Sequence, residues 1–237
     1  MTVAVWSFST VVAAQRTVTS ELAELFARYN TAVWPGHLVA YTAGVGALVL
    51  LVWRPGATAS RTVSGLLAVA WLWLGVVFHG FYATDLDPVL GGAYAVAFIA
   101  QAVLLFRAGV LHDDLAFTTG RGSAAVAGWA SLAYAVVIYP LIGIGLGHGY
   151  PEAPLLGMAP CPTTIATFGL LLLARPPLPR HLLPIPVLWA VLGPLGAVPQ
   201  GMIEDTGLFA VGMLAVTVIV VRDRHPAAPR AVHPSAP

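Results

Sequence analysis

The chain has 237 residues, 58% hydrophobic and 9% charged, with mean hydropathy +0.84 and net charge +1. A soluble domain carries about 25% charged residues, so a water-facing surface for the whole chain is excluded and lipid must be its main solvent. The charge balance excludes the basic stripe that nucleic-acid binding needs, the single cysteine excludes an intramolecular disulfide, and the absence of lysine excludes Schiff-base chemistry.

Residues 1–19 read as an N-terminal extension, either disordered or the product of a mis-called start. Met1 to Ala14 is apolar but has no basic residue ahead of it, as a signal peptide would. Thr19 or Ser20 then starts a short amphipathic helix. Glu21 and Glu24 lie in its first turn, and Leu22, Leu25 and Phe26 lie on one face, as in a helix resting on a membrane surface. Seven apolar segments follow at about 31–53, 61–83, 89–111, 124–147, 161–174, 182–200 and 204–221. Each is near the ~20 residues that cross a bilayer, although the fifth is short. Pro194 in the sixth removes a backbone donor and predicts a kink. Residues 222–237 read as a disordered cytoplasmic tail. The expected architecture is an all-α polytopic membrane bundle over 20–221, with about seven transmembrane helices.

Arginine placement predicts the orientation. Arg54, Arg61, Arg107, Arg121, Arg175, Arg180, Arg222, Arg224 and Arg230 fall on one side under alternation, and Arg16 and Arg28 on the other. The positive-inside rule makes the first side cytoplasmic, so the chain runs N-out and C-in with an odd number of spans. Glu21, Glu24, Asp85, Asp87, Glu152, Glu204 and Asp205 all fall outside, giving an acidic outer mouth.

This topology brings His37, His79, His148, Cys161 and the Glu204-Asp205 pair to one depth near the outer ends of their spans. Imidazoles, a thiol and carboxylates at one level have the donor set of a divalent metal site, with zinc or copper as the ion. His79, His148 and Cys161 are the expected ligands. His37, Asp85, Tyr150, Thr164, Glu204 and Asp205 complete the candidate pocket, and Asp85 is placed to orient His79. Cys161 opens a helix, where orphan N–H groups favour a thiolate. Each residue also has a plainer role open to it. The histidines can bond carbonyls, Cys161 can fill space, and the acids can cap the last span. Thr164 and Thr167 can bond back one turn, and Gln101 can tie helices together. Gly143-x-x-x-Gly147 and Gly91-Gly92 read as close helix contacts.

ARYNTAVWP at 27–35, YAVVIYPLIG at 134–143, GHGYPEAPLLGMAPCPTTIATFG at 147–169, LPRHLLPIPVLWAVLG at 178–193 and EDTGLF at 204–209 resemble a family of bacterial multi-pass membrane proteins. That family is known only as a domain of unknown function. The resemblance covers roughly residues 20–221, and its most specific part is the GH-x-YP…PCP-x-T block. It implies that His148, Tyr150, Pro151, Pro160, Cys161, Pro162 and Glu204-Asp205 belong to the family pattern, and it supplies no activity. The expected function is binding or transport of a metal ion or small solute through an extracytoplasmic His/Cys/acid pocket of an inner-membrane protein. The alternatives are a metal-dependent membrane hydrolase, with Asp85 or Glu204 as base, and a non-catalytic accessory subunit. The expected partner is the lipid bilayer. A homo-oligomer or a further membrane partner stays open.

Overall fold

A computed structural model describes residues 20–120 and 122–224. The expectations for residues 1–19, Arg121 and residues 225–237 lie outside these residues, whereas 222–224, expected to begin the disordered tail, instead end the last helix. The described chain is helical, without strands, and a single antiparallel bridge joins Phe117 to Ala174. Eight helices follow in order: α1 Ser20–Ala32, α2 Gly36–Trp53, α3 Ala57–Asp85, α4 Pro88–Leu111, α5 Ser123–Gly145, α6 Pro160–Leu173, α7 Arg180–Gln200 and α8 Ile203–Arg224. Six of them, α2 to α5 with α7 and α8, are long and apolar enough to cross a membrane.

The exception is α6, the fifth of the expected segments. Its 14 residues rise only about 21 Å at 1.5 Å each, against roughly 30 Å of hydrocarbon. Its surroundings also set it apart from the other six. Every residue from Pro160 to Leu173 is buried, enclosed by α3, α5, α7 and α8. A helix clad in protein need not match lipid, because its neighbours and the loops at its ends satisfy the backbone. Gly169 brings α6 against α5: a Cβ there would lie 3.0 Å from the Gly128 carbonyl oxygen, and the reciprocal Cβ at Gly128 would lie 2.8 Å from that of Gly169. The two backbones therefore touch.

The C-terminal end of α6 is capped from several directions. Arg222 Nη1 donates to the Leu172 and Ala174 carbonyls at 3.1 and 2.9 Å. There it also complements the negative end of the helix dipole. Thr118 N donates to Leu173 O and Arg175 N to Ala116 O, so the α4–α5 loop folds under the helix. Asp223 accepts from Leu178 N at 2.9 Å, and Ser60 Oγ accepts from Phe117 N at 3.1 Å. Arg61 grips Asp113 at the same end, and its hydrogen bond holds the Asp113 carboxyl below the ordinary carboxylate range.

Several local expectations need correction. The chain breaks between α1 and α2 at a turn over 33–35, because Pro35 has no N–H and keeps Trp34 out of helical geometry. The apolar face of α1 is covered by protein: Leu25, Phe26 and Tyr29 are buried, with Tyr29 packed on Phe78 and Tyr82 and bonded by Trp73 Nε1 at 2.7 Å. Gly143 and Gly147 do not form a helix-contact motif. Gly143 faces Glu204 Oε1, 3.3 Å from where its Cβ would be, and Gly147 turns the chain out of α5 with φ +97°.

Three spans depart from regular α geometry. Leu74–Tyr82 in α3, Arg107–Leu111 in α4 and Tyr134–Ile138 in α5 adopt wide π turns. Such turns recur at functional sites. The first contains His79, and the third carries two tyrosines toward the acids of α8.

Candidate functional site

At the end opposite Arg222 the chain leaves α5 at Gly147, and His148 N bonds back to the Gly143 carbonyl at 2.8 Å. This aims the imidazole at the start of α8. His148 Nδ1 lies 3.0 Å from Glu204 Oε1, so with the carboxylate accepting, Nδ1 carries the proton. The His148 side chain is 11% exposed and that of Glu204 0%, so His148 stands between the surface and the acid. Glu204 Oε2 is buried and has no protein partner.

Asp205 lies next to it, also buried. Its Oδ1 accepts from the Tyr139 hydroxyl at 2.5 Å, and the Cys161 thiol stands beside the same carboxyl. Tyr134 donates to the Glu204 backbone carbonyl at 3.1 Å. Gly207 makes this possible, because a Cβ there would lie 2.0 Å from the Tyr134 hydroxyl. The two tyrosines are five residues apart, which on a regular helix would set them about 140° apart. The wide turn between them closes that angle and brings their rings to 6.4 Å.

His148, Glu204, Asp205, Tyr139, Tyr134 and Cys161 thus form one buried cluster with two carboxyls and a single basic group. A second unpaired carboxylate in such surroundings is costly.

The structure does not gather His79, His148 and Cys161 around an ion. Among the described residues no group of three or more His, Cys, Asp and Glu side chains is placed to hold a metal. His79 is instead walled by the rings of Phe78, Tyr94, Phe98 and Trp189, with centroids 4.5 to 5.5 Å away, and neither ring nitrogen has a partner. Cys161 is buried against Trp189 and Asp205, where a carboxyl rather than a cation faces the thiol. Asp85 does not orient His79. It pairs with Arg28 at 3.2 Å, with both side chains more than half exposed. His37 joins no acid: its Nε2 lies 3.1 Å from Asn30 Oδ1. The Asn30 amide donates to the Pro151 and Ala153 carbonyls at 2.6 and 2.8 Å, so Oδ1 accepts and His37 donates. The pair pins the 146–159 excursion to α1 and α2. Tyr150 is half-exposed, edge-on to Trp34 and His37. Thr164 bonds back to the Pro160 carbonyl at 2.8 Å and closes the first turn of α6. Glu204 and Asp205 do open α8, yet their side chains serve the cluster.

Sequence reasoning missed Tyr134, Tyr139, Trp189 and Asn30. Two tyrosines inside one apolar span carried a signal, but regular helical spacing would have placed them on different faces. A separate groove of about 420 Å³ between α2, α3 and α6 is almost wholly apolar, lined by Trp73, Tyr41, Met158 and Leu170 among others, and takes in none of the cluster.

Residues 20–230 match the family of unknown function designated DUF6064, and the chain belongs to that family. No curated protein and no solved structure matches the chain.

Proposed function

We propose that this member of DUF6064 is a bacterial inner-membrane protein with seven membrane helices, N-out and C-in. It binds or carries a small solute in exchange with protons at an extracytoplasmic pocket, and His148, Glu204 and Asp205 hold the exchanged proton. The orientation is supported by the nine-to-two arginine split under the positive-inside rule. It is also supported by the way the ends of the helices sort, with Arg61, Arg175 and Arg222 beside one end of α6 and the buried acids beside the other. The seventh helix, α6, counts as a span because it runs through the bundle from one set of loops to the other.

The observation that carries the functional proposal is the His148–Glu204 pair, which has a fully buried carboxyl with one free oxygen behind a partly exposed imidazole. Ionisable groups inside a membrane bundle mark ion, proton or substrate pathways. Proton exchange is favoured over zinc or copper binding because the donors are arranged in pairs and not around a point.

The test is infrared difference spectroscopy on the reconstituted full chain, between about pH 8 and about pH 5, spanning the ordinary histidine value of about 6.5. A carboxylic-acid carbonyl band should grow on acidification and be lost in Glu204→Gln or Asp205→Asn. A spectrum without a carboxyl change that these variants remove would overturn the proposal.

A further inference from the structure

We propose that His79 is a second, deeper proton site that passes protons between the His148/Glu204/Asp205 cluster and the opposite half of the bundle. This rests on the function proposed above. His79 is 2% exposed, and both of its ring nitrogens lack partners. A residue needed only to fill that space would be phenylalanine, because an imidazole buried without a partner is costly. The histidine sits within the π-turn stretch of α3.

The surroundings make a line through the bundle. Trp189 packs on His79 with centroids 5.2 Å apart. Its other edge reaches Cys161 across Gly193: a Cβ on that glycine would lie 3.1 Å from Trp189 Nε1 and 3.4 Å from Cys161 Sγ. Cys161 in turn stands beside Asp205. In the other direction Phe98 touches His79, and Gln101 lies one turn further along α4. Gln101 is buried, donates to the Leu182 carbonyl at 3.1 Å, and leaves Oε1 unpaired. Of the eight buried side-chain polar atoms without partners among the described residues, five belong to Glu204, Trp189, His79 and Gln101. They are not scattered; they join the acid cluster to the start of α7.

The transfer is a proton relay with water as carrier. The O–H bond of protonated Asp205 breaks, water conveys the proton past Trp189, and an imidazole lone pair of His79 takes it as a new N–H. His79 then returns it to water on the Gln101 side. Tyr94 of α4 is the titratable ring packed on His79. Tyr29 of α1 lies behind Phe78, and Cys161, Asp205 and Glu204 lie beyond Trp189.

The purified full chain is reconstituted into vesicles holding a pH-sensitive dye, and a potassium diffusion potential drives proton entry. Wild type should acidify the lumen well above protein-free vesicles. His79→Phe and His79→Gln should slow entry by roughly 10²-fold, the scale of one positioned proton-transfer group. Both variants should keep the outer carboxyl band in the infrared spectrum. A His79→Phe rate equal to wild type overturns the proposal, as does a wild-type rate no higher than that of empty vesicles. Nitrogen NMR of histidine-labelled wild type gives a check independent of how well the variants fold. A His79 ring that stays neutral across the pH range of proton entry also overturns it. Loss of the carboxyl band in wild type would instead sink the function proposed above.

Discussion

Tyr139→Phe removes one hydroxyl and nothing else, and it tests the state of the acid cluster. The hydroxyl donates to Asp205 Oδ1 at 2.5 Å, and both residues are buried. A hydrogen bond to a charged group contributes about 1.5–3 kcal/mol, and one between neutral groups about 0.5–1.5. Hydrogen bonds between membrane helices average about 0.6 kcal/mol, with a maximum near 1.7. If Asp205 is ionised, the coupling between the two residues should therefore reach about 1.5 kcal/mol or more. If the carboxyl holds the cluster's proton, the coupling should fall to about 0.5–1 kcal/mol. The assay is a double-mutant cycle of Tyr139→Phe with Asp205→Asn, measured by reversible unfolding in mixed micelles near neutral pH. The cycle cancels the loss of Asp205's contact with Cys161, which both arms share. A proton-holding cluster predicts the smaller value near neutral pH and a larger one at alkaline pH. A coupling indistinguishable from zero at both would refute the placement of Tyr139 in the cluster.

Other outcomes follow from single contacts. Arg222→Ala strips two carbonyl contacts from the buried end of α6 and leaves Asp223 without a guanidinium, so stability should fall by about 2–4 kcal/mol in the same unfolding assay. Gly207→Ala forces a methyl into the Tyr134 ring and should destabilise the protein, whereas the double variant Gly207→Ala/Tyr134→Ala should recover part of the loss in a thermal-shift measurement. Cys161 should resist a small polar maleimide in sealed vesicles and react once the protein is dissolved in denaturing detergent. The Arg61–Asp113 pair lowers the folded carboxyl's pKa, so its contribution is present above the ordinary value of about 3.9 and is lost as pH falls through the lower folded value. Arg61→Ala should therefore change thermal stability near neutral pH and lose that difference in strong acid.

The helical, membrane-suited character of the chain was legible because lipid punishes unpaired backbone and charge so heavily that composition alone reports it. Helix boundaries followed within a few residues at α4, α7 and α8. The status of α6 was not legible. Its fourteen apolar residues read as a deficient span, and only the structure shows that four neighbouring helices enclose it. Nor was the partner of α1 legible. Amphipathicity measures how much of a helix must be covered, without saying whether lipid or Phe78 and Tyr82 cover it.

The candidate site divides the same way, and the division has a physical basis. Topology fixes depth, and His148, Cys161, Glu204 and Asp205 share a depth and meet. The same count assigns His79 and His37 to that end, yet they belong to other clusters, because angle about the bundle axis is set by side-chain direction and local helix winding. A π turn displaces every later residue by about 100° relative to regular α geometry. In α3 the wide turns coincide with a His79 that faces Trp189 and the aromatic rings of α4, away from Asp85. In α5 they bring Tyr134 and Tyr139 together on the acids. Such turns are invisible to a periodicity count that assumes 3.6 residues throughout. The metal expectation finds no support among the described residues for this reason: it placed ligands by depth alone, whereas a shared ion also requires a common direction within about 2.1 Å of each donor nitrogen. A relay asks for less than a common point. Its members need only reach the next carrier, so His79 can stand apart from the His148 pair and still belong to the same path.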